Sequence, residues 1–315
     1  MYLVGIDENG FGPVLGPLNV TGVLFEVERY EHNLWGKLND VFSRKFSQKN
    51  RFKLTDSKQM TPREWEKIAL ILYFLLFKEI PRFSSTFLKK FILKEKSLVK
   101  KCGEEEKNMC WEPDFSLPLW EERNFLEEIP SVGKRTKDIL EREKIRILAL
   151  NTLICCPYNF NFLLQVYNKA ELNLYLFETL IKYYYQKYRG EFLFICGKIG
   201  GIKYYRRYFK LLNKYHCLKF SEKDELSEYH FENLGKVSFI KDGDENYFPI
   251  SLSSIIGKYI REIFMRRINT YFSSRVSGLP YVSGYRDKFT KEFIKRVEGE
   301  LFRLNISPLC FRRQK

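Results

Sequence analysis

The chain of 315 residues is long enough for one large core with an appendage, and its 54 lysines and arginines against 39 aspartates and glutamates give a net charge of +15. That excess favours a polyanionic partner, and a membrane span is disfavoured because the best apolar run, Ile68 to Phe77, is shorter than the roughly eighteen residues a span needs. Seven cysteines, an odd number without a repeating spacing, fit buried thiols in a reducing compartment better than a disulfide framework.

The N-terminus, Met1-Tyr2-Leu3-Val4-Gly5-Ile6-Asp7, has no basic leader region or cleavage site and reads as a strand ending in an acid, so a cytoplasmic protein is expected. Val20 to Val27 reads as a second strand. Between them lies a glycine- and proline-dense turn, Gly10-Phe11-Gly12-Pro13 to Gly16-Pro17, whose glycines let the backbone approach another group closely. Thr61-Pro62-Arg63-Glu64 carries a capping threonine, a proline at the first helical position and an acid three residues after the cap, which predicts a helix from Pro62 to about Phe77. Asp56-Ser57-Lys58 then falls on the preceding loop.

From Phe83 to Leu148 the composition shifts to charged clusters and a Trp/Pro stretch around Trp111 and Trp120, which reads as an insertion able to pack through its aromatics. Cys102 and Cys110 flank an acidic loop there but lack the Cys or His neighbours that zinc requires. Asn168 to Tyr188 reads as a helix, and Phe192 to Cys196 as a short buried strand. After the Gly197 to Gly201 turn a second helix is expected, with Tyr205, Tyr208, Phe209 and Leu212 on one face and Lys203, Arg206, Arg207 and Lys210 elsewhere. Val237 to Ile240 is a further strand, leading through Lys241-Asp242-Gly243-Asp244 to a helix beginning near Ile250. On that helix Ser254, Lys258, Arg261 and Met265 share a face that could contact a nucleic-acid backbone.

Phosphodiester hydrolysis needs charge neutralisation at the phosphate and an activated water, which two divalent ions held by carboxylates provide. The corresponding sequence sign is acids at strand ends, far apart in the chain. Asp7-Glu8 and Asp244 fit, although each alone is also what a solvated turn shows.

The segment Gly5-Ile6-Asp7-Glu8-Asn9-Gly10-Phe11-Gly12-Pro13-Val14-Leu15-Gly16-Pro17-Leu18 resembles the opening motif of the ribonuclease HII family. Thr55-Asp56-Ser57-Lys58 resembles a second block. Asp244 to Glu262, through Ile250-Ser251-Leu252-Ser253-Ser254 and Gly257-Lys258, resembles the last acid and its helix. Gly284-Tyr285, with Ser307-Pro308 leading into Arg312-Arg313, is similar to the closing segment, while Phe83 to Leu148 is unmatched.

The resemblance implies an α/β, RNase H-like fold with a mixed, centrally five-stranded sheet flanked by helices. Its expected organisation is core in 1–82, insertion in 83–148, core in 149–272 and a C-terminal helical segment in 273–315. It implies an endonuclease, dependent on Mg2+ or Mn2+, that cleaves RNA in RNA/DNA hybrids or ribonucleotides embedded in DNA. Asp7, Glu8 and Asp244 would hold the ions and act in catalysis. Gly10, Phe11, Gly12, Ser57, Lys58, Ser254, Lys258, Arg261 and Tyr285 would contact nucleic acid, with Tyr285 helping to sense the 2′-hydroxyl.

Two departures stand against a complete site. The family's mid-chain Asp should follow the Phe192 strand, at Cys196 or Gly197, yet no acid occurs from Phe192 through Ser221; Asp242, Glu245 and Glu262 are the acids available to compensate. Phe11 stands where the family usually has arginine. The alternative is therefore a catalytically impaired protein that binds nucleic acid without cleaving it. A third class is an adaptor whose 83–148 segment docks a protein partner of unknown identity through Trp111 and Trp120.

Overall fold

The computed structural model describes residues 1–30, 34–44, 51–55, 59–94, 117–119 and 123–314. Ser57 and Lys58 lie outside the described residues, as do Asp56, Cys102, Cys110, Trp111 and Trp120.

In chain order the elements are β1 (Tyr2–Asn9), β2 (Leu18–Val27), α1 (Leu34–Lys37), β3 (Phe42–Ser43), β4 (Phe52–Lys53), α2 (Pro62–Phe77), α3 (Ser84–Phe91) and α4 (Arg123–Arg142). Then follow β5 (Ile145–Cys155), α5 (Pro157–Leu163), α6 (Lys169–Lys187), β6 (Phe192–Gly197), β7 (Cys217–Glu222), β8 (Leu226–Phe231) and β9 (Gly235–Ile240). The chain closes with α7 (Gly243–Asn246), α8 (Phe248–Ser273), α9 (Lys288–Arg303) and α10 (Pro308–Phe311).

A seven-stranded mixed sheet in the order β5-β2-β1-β6-β9-β8-β7 forms the centre, so the expected five strands are extended by the β8–β7 hairpin beyond β9. The pairs β1–β6 and β6–β9 are parallel, and β1–β2 is antiparallel. Strand alternation divides the side chains between two layers. Leu3, Val23, Phe25, Ile195 and Ile240 pack with Ile255, Ile256 and Ile260 of α8, while Val4, Ile6, Leu24, Phe194, Cys196 and Phe239 pack with Leu176, Phe177 and Leu180 of α6. With both faces covered, β6 is apolar along its whole length, as expected for a central parallel strand.

The expected helices at Pro62 and Asn168 form where the chain places them. Thr61 and Glu64 form a reciprocal capping box on α2, and Asn168 and Glu171 form another on α6. The 83–148 segment contributes Phe87, Leu88, Phe91, Ile139 and Leu140 to the α8-side core, and Phe87 stacks on Tyr73 of α2 at 5.8 Å between ring centres. Strand β5 begins inside that segment, pairing Ile145 with Val27, so the 148/149 junction falls within a strand.

The helix expected after Gly201 does not form; two short 3₁₀ turns, Arg206–Tyr208 and Leu212–Lys214, stand in its place. The reason lies in where the backbone N–H groups go. Those of Lys210, Leu211 and Leu212 donate to the buried Glu178 carboxylate of α6 at 2.8–3.0 Å. Tyr205, Phe209 and Leu212 are buried as expected, but Tyr208 is only half-buried.

Burial pushes the Glu178 carboxyl up to about 7, against the lowering influence of those N–H donors. The folded state therefore holds this proton more tightly than the unfolded chain. The associated stabilisation is full below about pH 4.5 and is lost as pH rises through about 7, on the order of 3 kcal/mol in all. Melting curves of wild type and Glu178→Gln between these limits should diverge in favour of the variant as pH rises. Parallel curves would mean that Glu178 titrates as an ordinary carboxylate.

Candidate functional site

Asp7 lies near the end of β1, where strand alternation directs it to the α8 side, the side of Leu3 and Gly5. Helix α8 reaches that face because Gly5 has no side chain: a Cβ there would lie 2.1 Å from the Pro249 carbonyl oxygen. Ser253 Oγ donates to the Gly5 carbonyl at 2.8 Å, and the next residue, Ser254, hydrogen-bonds the Asp7 side chain. Asn9 Nδ2 donates to the Ser254 carbonyl at 3.1 Å and Asn19 Nδ2 to the Gly257 carbonyl at 2.9 Å, so polar side chains of β1 and β2 fix the helix lengthwise.

Asp244 sits on the single turn of α7, after Asp242 in the left-handed region at φ 50° and the buried Gly243. The Ser251 hydroxyl donates to the Asp244 carbonyl, tying that turn to α8. Asp7 is held well above the usual carboxylate range, first by burial and then by the charges of Glu8 and Asp244, with the Ser254 hydrogen bond opposing. These acids therefore form one electrostatic group. Alternation sends Glu8 to the other face of β1, where its charge adds to the burial that raises the Tyr205 phenol.

The position of the missing acid is decided by the sheet. Cys196 pairs in register with Ile6 and is buried on the α6 side, away from Asp7's face. Gly197 faces Asp7: a Cβ built there would lie 2.3 Å from Asp7 Oδ1. None of Asp242, Glu245 and Glu262 is among the nearest neighbours of a Cβ at position 197. Glu262 accepts the Tyr281 hydroxyl at 3.0 Å, and Asp242 and Glu245 are exposed.

The carboxylate oxygens of Asp7 and Asp244 suit a hard divalent ion in their chemistry, and Mg2+ takes only one or two carboxylates together with water and substrate phosphate. Among the described residues no group of three or more His, Cys, Asp and Glu side chains is placed to hold a metal by itself. Asp7 and Asp244 are the carboxylates here that would hold such an ion.

The glycine turn lies beside these acids. Gly10 has φ +89° and a Cβ there would meet the Pro17 carbonyl oxygen at 2.6 Å, so only glycine fits. A Cβ on Gly12 would lie 3.4 Å from the Tyr285 ring, which is 52% exposed. Lys169 Nζ is 4.4 Å from the centre of the Phe11 ring.

The face shared by Ser254, Arg261 and Met265 is not the open polar surface expected from its spacing; all three are buried, with Arg261 against Gly10 and Met265 against Gly16. Lys258, half-buried, lies 4.7 Å over the Trp65 ring. Lys169 and Arg286, which join this neighbourhood, gave no sign in the sequence, because neither belongs to a motif that spacing reveals.

No protein-family model and no curated protein matches the chain. Among solved structures, ribonuclease H2 from Pyrococcus horikoshii OT3 is similar at 15% identity with a TM-score of 0.50, over 99% of this chain and 92% of that one. Bst-RNase HIII in complex with Mn2+ is similar at 13% identity, also with a TM-score of 0.50, over 99% of this chain and 66% of that one. The ribonuclease HII of a PCNA complex from Archaeoglobus fulgidus gives 18% identity and a TM-score of 0.48 over 100% of this chain and 98% of that one. Likeness at such identities speaks for architecture and not for activity. With a mixed central sheet flanked by helices, the chain has the ribonuclease H-like fold of ribonucleases H2 and HIII.

Proposed function

We propose that this chain binds duplexes containing ribonucleotides, either RNA/DNA hybrids or DNA with embedded ribonucleotides, and hydrolyses the phosphodiester at the ribonucleotide. The observation that carries this reading is that one end of α8 gathers acids from distant segments: Ser254 hydrogen-bonds the Asp7 side chain of β1, and Ser251 ties down the turn that bears Asp244. Asp7 and Asp244 would hold Mg2+ or Mn2+, which when bound neutralises the phosphate and activates water. Ser254 orients the Asp7 carboxyl. Gly10 and Gly12 let a strand approach the backbone, and Tyr285 offers an exposed ring beside that turn for a sugar whose 2′-hydroxyl distinguishes RNA from DNA. Lys258 and Arg261 add positive charge, which positions a duplex without reading its sequence.

The test is cleavage of matched RNA/DNA hybrid, single-ribonucleotide duplex and all-DNA duplex with Mg2+ or Mn2+. Cutting confined to the ribonucleotide-containing substrates is the expected result. Equal cutting of all three, or none of any, would remove the proposal.

A second reading, binding without cleavage, is favoured by Gly197, whose lack of a side chain leaves Asp7 without a fourth acid beside it. It predicts salt-sensitive hybrid binding with no turnover. Gly197→Asp should tighten Mn2+ binding, read by calorimetry, by roughly 10–100-fold, the range that supporting groups of metal sites command. The Cβ of the added side chain meets the rotatable Asp7 carboxylate and not main chain. Unchanged or weaker Mn2+ binding would show that position 197 does not face an ion.

A further inference from the structure

The turn between β1 and β2 is surrounded by basic side chains that form no ion pair among the described residues, although Glu262 lies near enough to Arg261 to oppose the effect of its burial. Arg313 is 2% exposed; its Nη2 donates to the Pro13 carbonyl, while its Nε and Nη1 have no partner among the described residues. Its guanidinium lies 4.9 Å from the centre of the Phe160 ring. Arg261 is 8% exposed, donates Nη2 to the Ser283 carbonyl at 2.7 Å, and leaves Nε without a partner among the described residues. Its guanidinium lies 5.4 Å from the Tyr285 ring centre, and Arg286 follows Tyr285 on the exposed side.

These groups repel one another. Arg313 is pushed down to about 9 by burial and then by Arg261, with a smaller effect of Arg286, against the opposing influence of Cys155 and Tyr285. Lys169 is lowered by burial, then by Arg313 and Arg286. Among the described residues none of the four forms an ion pair. A buried cation without a counter-ion is costly, and a guanidinium with idle donors is well shaped for a phosphate.

We infer that Lys169, Arg261, Arg286 and Arg313 form a phosphate seat beside the Gly10 to Gly12 turn, taking a backbone phosphate of a bound strand or a free phosphate or pyrophosphate ion. The strand as its source rests on the proposed function; the seat does not. Its open side is marked by the exposed Tyr285 and Arg286.

The experiment uses the full chain, with melting followed in sodium phosphate, pyrophosphate and sodium chloride at matched ionic strength. Arg313 is left intact because it also holds the Pro13 carbonyl, and the variants are Lys169→Met and Arg286→Gln. Phosphate or pyrophosphate should raise the wild-type midpoint above that in chloride, and each variant should lose most of that rise. If the source is a strand, each variant also binds a ribonucleotide-containing duplex on the order of tenfold more weakly, with a shallower salt dependence. Unchanged duplex binding with a lost phosphate response assigns the seat to the free ion. A wild type that responds no more to phosphate or pyrophosphate than to chloride, with variants that bind duplex as tightly as wild type, overturns the seat. A phosphate response in a protein that neither binds nor cuts ribonucleotide duplexes removes the proposed function and leaves the seat standing.

Discussion

Asp7→Asn should lower cleavage of ribonucleotide-containing duplexes by at least about a thousandfold while raising the melting midpoint. The loss follows from removing a charged oxygen donor at the place where the phosphate's charge must be neutralised, an effect worth several kcal/mol. The stability gain follows from the environment of Asp7. Burial and the charges of Glu8 and Asp244 disfavour its ionised form, and asparagine keeps the shape and the Ser254 contact without the charge. Cleavage assays and melting curves on the same preparation decide the matter. Cleavage within about threefold of wild type would place the chemistry elsewhere, and a fall in midpoint would mean that the Asp7 charge is compensated in the folded protein.

Gly5→Ala should destabilise the fold by roughly 3 kcal/mol or more, because the added Cβ meets main chain and not a side chain that can rotate away. Its position would lie 2.1 Å from the Pro249 carbonyl oxygen and 2.2 Å from the carbonyl carbon. Strand β1 and the first turn of α8 would have to separate, disturbing the Ser253 hydrogen bond to Gly5 and, one residue on, the contact of Ser254 with Asp7. Activity should fall with stability. Gly200→Ala is the control, since a Cβ there has no neighbour within 4 Å and should change stability by less than about 0.5 kcal/mol. Chemical denaturation of both variants would show the contrast, and equal midpoints would mean that β1 and α8 part without cost.

The site was legible in proportion to how local its determinants are. Thr61 with Glu64 marks the start of α2 through hydrogen bonds that span three residues, and that start was readable from spacing alone; Asn168 with Glu171 caps α6 in the same way. The apolar run of β6 was readable from its composition, whereas the Asp244 to Lys258 block was identified through its resemblance to the ribonuclease HII family. The Tyr205 to Leu212 segment misled: its apolar spacing suits a helix, but the Glu178 carboxylate takes the N–H groups of residues 210–212. Nothing near 205–212 in the chain announces a carboxylate on α6.

By itself the sequence determined the acid-bearing first strand, the glycine turn after it, the capped helices and the absence of an acid from Phe192 through Ser221. Packing between distant segments sets the rest: Gly197 and not Cys196 faces Asp7, the Arg261 face packs against the glycine turn, and Lys169, Arg286 and Arg313 meet around it. Spacing encodes hydrogen bonds and periodicity within an element. Which face meets which neighbour depends on strand register and on the close approach of backbones, and both arise only when distant segments pack.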